Sequence, residues 1–404
     1  MQGIADVGGS QLILWVLLAI GFWFYGHSLY AARDFFRTRR AEDDPVPSGK
    51  PPVTILKPLK GEDPDLYENL ATFCRQNYPT FQIIFGVADA DDPAHAVARR
   101  LQRDFPQADI HVCVDARLHG ANRKVSNLIN MMAHVKHDVI ALSDSDIVVP
   151  EDYLTRVVAP LRFESIGLVT SLYRAVSRGG LPSLFDSLFV NTDFCHQVLL
   201  ARKIETARYA FGASIVMRRS VLTATGGFER LANLLADDYF LGRHVTDLGL
   251  RTWLSDCVVD TVIEVNSFRK LVQHQLRWGR TFRSCRPWSY FVTLAIHGTF
   301  WAFVNALAGG FSAVALVPSL MLFAWRIGTT AVISRRYLGT NLSLYELAMV
   351  LPKDLFMSGV WLASFLGDTV WWSGRKFRIV GTGEIKPIPS GAAPATSRAL
   401  AKPS

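Results

Sequence analysis

Val139-Ile140-Ala141-Leu142-Ser143-Asp144-Ser145-Asp146 is the stretch on which the fold turns. A short unbroken apolar run reads as a strand buried on both faces. Two carboxylates one residue apart at its end can hold a divalent cation at a sheet edge. Such a cation can in turn grip a diphosphate. The spacing needs its context, because Asp-x-Asp occurs three times here, also at Asp63-Pro64-Asp65 and Asp89-Ala90-Asp91. At about one Asp in twenty residues, chance supplies about one such match in a chain of this length.

Upstream of this stretch, strand and helix patterns alternate. Residues 53–57 form a short apolar run, and Leu66, Leu70 and Phe73 then recur at helical spacing. Strands are expected at 81–88 and 110–114, and helices at 94–105 and 124–135. Four such alternations predict a parallel sheet covered by helices. Sheets of this kind bind ligands outside the carboxyl ends of their strands. That edge collects Lys57, Lys60 and Gly61 after the first strand, Asp89, Asp91 and Asp92 after the second, and Asp144 and Asp146 after the fourth. Asp63-Pro64-Asp65 reads instead as a turn with Asp65 capping a helix. Further strands are expected at 166–172, 210–217 and 252–254, and a helix begins at Asp237-Asp238-Tyr239-Phe240.

The chain of 404 residues is 50% hydrophobic and only 19% charged, and the apolar excess is localised. Residues 12–32 carry no charge and are long enough to cross a bilayer of about 30 Å. Residues 286–326 are uncharged between their ends and contain Gly309-Gly310, which predicts two spans joined by a turn. A further apolar block covers 355–372, after Lys353-Asp354, and reads as a crossing or as a re-entrant or interfacial segment. The first span reads as a retained anchor, with no small-residue cleavage site after it. Arg33, Arg37, Arg39 and Arg40 follow it and only Asp6 precedes it, so the positive-inside bias puts residues 33–286 in the cytoplasm. Residues 268–283 form a basic amphipathic pattern, expected to lie at the interface with Arg269, Lys270, Arg280, Arg283 and Arg286 near anionic lipid. The net charge of +8 fits a domain resting on an anionic membrane face, and no basic-aromatic patch points to nucleic acid. Five cysteines without metal-like spacing fit a reducing compartment.

The chemistry these residues can support is that of a nucleotide diphosphate. Asp144 and Asp146, with Asp146 the more direct ligand, would bind Mg²⁺ or Mn²⁺ bridging the phosphates. Asp92 would lie near base and ribose, or cap the following helix, or both. Lys124 and Asn127 open a helix whose N-terminus favours phosphate. Asp238 is the candidate base, and the like charge of Asp237 beside it raises the pKa of one member of the pair. Arg277 can hold a diphosphate through bidentate hydrogen bonds, and Trp278 can pack under a sugar or anchor the helix.

Leu56-Lys57-Pro58-Leu59-Lys60-Gly61, Asp91-Asp92-Pro93, Lys124-Val125-Ser126-Asn127-Leu128, Asp144-Ser145-Asp146, Asp237-Asp238-Tyr239-Phe240 and Arg277-Trp278 occur in that order. Together they resemble the ceramide glucosyltransferase family of membrane glycosyltransferases, and within it most closely the bacterial hopanoid-associated branch. The resemblance implies an α/β fold of the GT-A type, Rossmann-like and mostly parallel, with transmembrane helices at both ends. It implies inversion at the anomeric carbon, a divalent metal, a UDP-sugar donor and a lipid acceptor, in a multi-pass protein of the bacterial inner membrane. For the branch it implies transfer of N-acetylglucosamine to bacteriohopanetetrol; the alternative within the family is glucose transferred to ceramide. It maps the uridine-side acid onto Asp92, the metal-side acid onto Asp144, the base onto Asp238 and the diphosphate arginine onto Arg277. His196 falls in a segment resembling the family's acceptor side. Two positions depart from the family. Asp146 is an acid where animal ceramide enzymes have Gly, and His274 stands where Gln or Arg opens the x-x-Arg-Trp motif.

The expected organisation is an anchor over 1–40, an α/β domain over 41–265, an interfacial helix over 266–288, a membrane region over 289–380 and a disordered tail over 381–404. A processive polysaccharide synthase would need a channel for its polymer, and no intramembrane polar row is apparent to line one. A non-catalytic nucleotide-sugar sensor would not need the base and the arginine together.

Overall fold

In the computed structural model, which describes residues 8–41, 49–61, 63, 65–205 and 207–389, strands and helices alternate from the outset. Helix α1 (Gly9–Ala41) has 33 residues, about 50 Å at the rise of an α-helix, so it outruns a bilayer. There follow β1 (Val53–Pro58), α2 (Leu66–Cys74), β2 (Phe81–Val87), α3 (Pro93–Asp104), β3 (Asp109–Val114), α4 (Arg123–Met131) and β4 (Val139–Leu142). The second half of the domain holds β5 (Ile147–Val148), α5 (Tyr153–Val158), β6 (Ile166–Ser177), α6 (Leu181–Phe189), a π-helical turn (Val190–Phe194) and α7 (Cys195–Ile204). It closes with β7 (Ile215–Arg218), α8 (Arg219–Ala224), α9 (Asp237–Asp247) and β8 (Arg251–Ile263).

One eight-stranded sheet runs β3-β2-β1-β4-β7-β6-β8-β5. β3, β2, β1 and β4 are parallel, β7 is antiparallel to both its neighbours, and β6 and β8 are parallel. Both faces are covered, which is why these strands read as apolar runs. Val53, Ile55, Ile83 and Phe85 point into one core with α2 and α3. Leu56, Ile84, Ile140 and Leu142 point into the other, with α4 and α9. The end of α1 joins the first core through Phe35 and Phe36, so the anchor is continuous with the domain. The chain winds outward from β1 through β2 to β3 and then returns to β4 on the other side of β1. That reversal opens a crevice at the carboxyl ends of β1 and β4, where such sheets bind ligands.

Several expectations change here. Asp65 does not cap α2: its backbone is left-handed (φ 55°), its side chain makes no cap bond, and its carboxylate pairs with Arg178 at 3.2 Å. β8 is 13 residues long rather than three, because it pairs with β6 along its length. β7 starts only at Ile215, since Phe211 and Ser214 close a turn ahead of it.

The membrane part holds α10 (Phe268–Cys285), α11 (Pro287–Val292), α12 (Gly298–Ala308), α13 (Ala313–Arg336) and α14 (Leu344–Ser364). Three helices, α1, α13 and α14, are long and apolar enough to cross a membrane among the described residues. The first half of the 286–326 block is not a straight span. It bends by 52° at His297, and the 11 residues of α12 reach about 16 Å, half a bilayer. The last apolar block starts earlier than expected, with Ser343 and Glu346 forming a capping box for α14.

Lys353 and Asp354, read as a boundary, therefore lie inside α14. There they meet Arg326 of α13 and Asp193 of the π-helical turn. Arg326 Nε and Nη2 lie 2.9 Å from the two Asp354 oxygens, and Nη2 lies 3.0 Å from Asp193 Oδ1. Lys353 pairs with both carboxylates. A buried polar cluster thus joins the two candidate spans α13 and α14 to the α/β domain, where the sequence suggested none.

Residues 369–387 are not a span or a tail. They form a small antiparallel sheet, β9 (Thr369–Trp372), β10 (Arg375–Val380) and β11 (Glu384–Pro387). Ser373 and Gly374 make the two-residue turn between β9 and β10, both with positive φ (50° and 75°), the geometry that matches strand twist. The sheet packs Val370, Phe377 and Ile379 on Leu235 of the α/β domain. Two of the basic residues assigned to lipid hold its entry instead: Arg280 donates to the carbonyls of Leu366 and Thr369, and Arg283 to that of Gly367 and to Asp368. Arg286 forms a bidentate pair with Glu205. The rest of the expected tail, from residue 390, lies outside the described residues.

Candidate active site

The crevice opens into a cavity of about 1720 Å³, larger than the about 300–1,000 Å³ of a typical small-molecule pocket. Asp92, Lys124, Asn127, Asp144, Asp146 and Asp238 line it, as do Arg277 and Trp278. Lys57 and His196 do not. Lys57 is 0% exposed. Its ammonium lies beneath the Asp144–Asp146 loop, donating to Ser143 Oγ and to the carbonyl of Asp144, over the Phe73 ring. Burial pushes its pKa down to about 7 against the pull of Asp146, Asp144 and Asp63. Lys57 therefore shapes the loop and does not reach a substrate. His196, in the first turn of α7, is likewise 0% exposed, and burial holds its imidazole neutral.

The loop after β4 carries the two acids. Asp144 Oδ1 lies 2.6 Å from Lys124 Nζ, which also reaches Asp237 Oδ2 at 3.5 Å. Lys124 is thus a bridge between the acidic triplet and the acidic pair, where a free phosphate cation was expected. Burial opposes its charge, but Asp144, Asp237 and Asp238 outweigh it. Asp146 Oδ2 accepts from Thr261 of β8 at 2.8 Å. Burial and the Asp144 charge raise Asp146 to about 6, with a further push from Asp63. Asp63, set aside in the sequence, accepts a hydrogen bond from Ser145 of the triplet. Its position after the first strand was the signal that could have found it.

Asp144 and Asp146 are hard oxygen donors in a partly desolvated wall, a pair that suits Mg²⁺ or Mn²⁺. Among the described residues no three His, Cys, Asp or Glu side chains are grouped closely enough to hold an ion alone. A cation here would draw its remaining oxygens from a phosphate ligand and water.

Asp92 serves as the N-cap of α3, its Oδ1 accepting from Ala94 N at 3.0 Å, and it also holds Gly61 N at 2.8 Å. Oδ2 has no partner among the described residues. Asn127 sits on the second turn of α4 and donates to Gly86 O at 2.7 Å, bracing β2. The capping residue of α4 is Asn122, whose Nδ2 also reaches Leu234 O and Asp237 Oδ1. It ties the phosphate-facing helix to the loop that carries the acidic pair.

Asp238 opens α9. Its Oδ2 accepts from Gly212 N at 2.9 Å and its Oδ1 from Tyr239 N at 2.8 Å. Burial, then Asp237, raises its pKa to about 6, while Lys124 and the two amides hold it down. A carboxylate so tuned remains ionised at neutral pH and is a stronger base than an ordinary one. Gly212 links this base to the triplet, since its carbonyl accepts from Asp144 N at 3.1 Å. A Cβ at Gly212 would lie 2.6 Å from Asp144 Oδ2 and 3.0 Å from Lys124 Nζ. Gly212→Ala is therefore expected to lower kcat/KM by about tenfold to a hundredfold through misplacement of Asp144 and Asp238. Transfer assays on the variant, with its thermal melt as control, test this; unchanged kcat/KM would refute the linkage.

Arg277 projects from α10 into the cavity with no hydrogen-bonded or ion-paired carboxylate among the described residues. Trp278 packs edge-on against Phe189 and Phe194. His274 and Gln275 both engage buried Asp186, at 2.8 Å and 2.6 Å. The unusual histidine is thus an anchor that fixes α10 and hence the direction of Arg277. Asp186 itself was not anticipated, because nothing local in α6 marks it.

Residues 13–385 match the sequence model described as Glycosyl transferase family 21. Ceramide glucosyltransferase 1 of Caenorhabditis elegans is 24% identical over 357 residues, covering 86% of this chain and 75% of its own length. Ceramide glucosyltransferase 3 of the same organism is 25% identical over 396 residues, covering 94% of this chain and 84% of its own. Among solved structures, the mannosyltransferase PcManGT from Pyrobaculum calidifontis, in complex with GDP-Man and Mn²⁺, has a TM-score of 0.50 at 17% identity over 87% of this chain and 98% of that one.

Proposed function

The chain belongs to glycosyl transferase family 21, and from that premise we propose that it moves one sugar from a UDP-sugar to a hydroxyl of a membrane lipid, with inversion. The enzyme class and the GT-A-like α/β fold follow from the family and the sheet. The observation that carries the acceptor reading is the continuity of the cavity. It runs from Asp92 past Asp144, Asp238 and Arg277 to Ile296, Phe300 and Trp361 on the membrane helices. A lipid hydroxyl can meet a sugar there without leaving the interface.

In the proposed reaction Asp238 takes the proton of the acceptor hydroxyl as its oxygen attacks the anomeric carbon. The bond from that carbon to the diphosphate breaks on the opposite face, and the electron pair leaves with UDP. Arg277, which is hydrogen-bonded to no carboxylate among the described residues, meets the charge that develops there. A divalent cation held by Asp144 and Asp146 would neutralise part of the diphosphate charge when bound. Asp92 lies at the end assigned to uridine, and Trp278 forms the floor under the sugar.

For the finer identity, both curated relatives are named for ceramide and glucose, which favours that pair. The hopanoid and N-acetylglucosamine reading rests on the sequence resemblance alone. Arg33 and Arg37 after the first span and Arg335 and Arg336 at the end of α13 support a catalytic domain facing the cytoplasm; the bacterial inner membrane rests on the sequence resemblance.

Purified protein incubated with each UDP-sugar and each lipid, and read by mass spectrometry and UDP release, tests the proposal. A product heavier by one sugar is expected, with EDTA abolishing its formation. A polymer ladder would favour a processive synthase, and no UDP release with any lipid would reject the reading.

A further inference from the structure

The small C-terminal sheet sits beside the nucleotide end of the cavity, where Trp372, Ser373, Arg375 and Phe377 form part of the wall. It is held there from three sides. Lys60, after β1, donates to Ser373 O at 3.0 Å and Ser373 Oγ at 2.6 Å. Leu235 N donates to Gly383 O at 3.0 Å and Ile385 N to Asn233 O at 2.9 Å, so the sheet is stitched to the loop leading to Asp238. Arg280 and Arg283 clamp its entry.

This placement gathers Lys60, Arg123 and Arg375 on one stretch of cavity wall. Among the described residues none of the three is ion-paired with a carboxylate. Burial, then Arg123 and Arg375, push the Lys60 ammonium below its ordinary value, and burial, then Arg375, does the same for Arg123. The cations thus face one another with only Asp92 opposing them at Lys60, and no carboxylate paired with any of the three. The contrast is with Arg117 nearby, which is neutralised by Asp115 at 2.6 Å, and with Lys124, which is neutralised by Asp144. Like charges held together beside a cavity cost energy unless a multivalent anion enters. Arginine in particular meets phosphate oxygens in a bidentate fork.

We propose that Arg375, presented by the Ser373–Gly374 turn, binds the diphosphate of the nucleotide donor together with Lys60 and Arg123, so that the C-terminal sheet forms one wall of the donor site. The inference rests on the UDP-sugar reading above and extends it to a segment far in sequence from the motifs that carry that reading. The alternative source of the same chemistry is the phosphate of an anionic lipid.

The test is a titration of the full chain in detergent with UDP and with uridine, for wild type, Arg375→Ala, Arg375→Lys and Lys376→Ala. Arg375→Ala is expected to weaken UDP binding by about tenfold or more, the loss of one charge-assisted contact. Uridine binding and the melting temperature are expected to stay unchanged, Arg375→Lys to fall between, and Lys376→Ala to match wild type. Wild-type UDP affinity in Arg375→Ala, or an equal loss for uridine and UDP, overturns the assignment. So does a defect confined to binding of phosphatidylglycerol vesicles, which would assign the cations to lipid. If the wild-type protein itself fails to bind UDP, the donor reading falls first and this inference with it.

Discussion

Replacing the Asp238 carboxyl with an amide, Asp238→Asn, is expected to lower kcat by about 10²–10⁴-fold, the usual worth of a positioned base. The amide keeps the shape, and its one oxygen can still accept from either Gly212 N or Tyr239 N, its NH2 then facing the other, so UDP binding should persist. The wild-type pH profile supplies a second check. Asp238 acts only when ionised, and its pKa is raised from 3.8 to about 6 by burial and then by Asp237. Activity should therefore climb with pH up to about 6 and level off above it. Stability runs the other way. A carboxyl whose folded pKa is raised takes up a proton more readily when folded, so its contribution turns unfavourable as pH rises from about 3.8 to about 6. The deficit remains at neutral pH, and Asp238→Asn removes it. That gain offsets the acceptor lost to one backbone amide, so the variant should melt near the wild-type temperature while its turnover collapses. Normal turnover by a folded Asp238→Asn protein would eliminate Asp238 as the base.

The second large effect belongs to the membrane. Arg326→Met is expected to destabilise the protein by about 3–5 kcal/mol, the cost of leaving a buried charge unpaired. Arg326 and Lys353 balance Asp193 and Asp354, and Arg326 and Lys353 are 1% and 0% exposed. Without the guanidinium, two carboxylates share one ammonium in a region that offers little water. The Thr192 carbonyl also loses its donor at 2.9 Å. Thermal unfolding in detergent reads the loss, and Arg326→Met combined with Asp354→Asn should recover part of it. A single variant as stable as wild type would mean the cluster is solvated. Asp193 and Phe194 are consecutive in the π-helical turn, and Phe194 supports Trp278. Loosening the cluster should therefore also lower transfer through Trp278.

What the sequence made legible follows from which forces act locally. β1 to β4 were found because strands buried on both faces must be apolar, and the edge rule then gathered Asp92, Asp144 and Asp146. The Asp238 and Arg277 roles came from the resemblance together with their chemistry. Lys57 was misplaced because residue type and strand position do not reveal that Phe73 and the Asp144 loop close over it. β8 was seen only in part, since Ser255, Asp256 and Asp260 interrupt its apolar pattern while β6 supplies its pairing. The ion cluster in the membrane was hidden because Arg326, Lys353 and Asp354 each looked like the end of a span, and only the packing of α13 on α14 makes them partners. The C-terminal sheet was the most avoidable omission. Ser373-Gly374 and Gly381 to Gly383 are turn signals flanking residues suited to strands, but Trp371 and Trp372 were absorbed into the apolar block before them.

The stitching of Gly383 and Ile385 to Asn233 and Leu235 sets an order of assembly. During translation the acidic triplet, the base and the arginine all leave the ribosome before the membrane helices α13 and α14. The strand that completes the backbone bonds beside Asp238, β11, is made after all of these. A nascent chain therefore carries all its acids and its arginine yet has an unfinished donor wall until its final helices have been inserted. Under the proposed function, donor binding is expected to become complete only once α13 and α14 are in place.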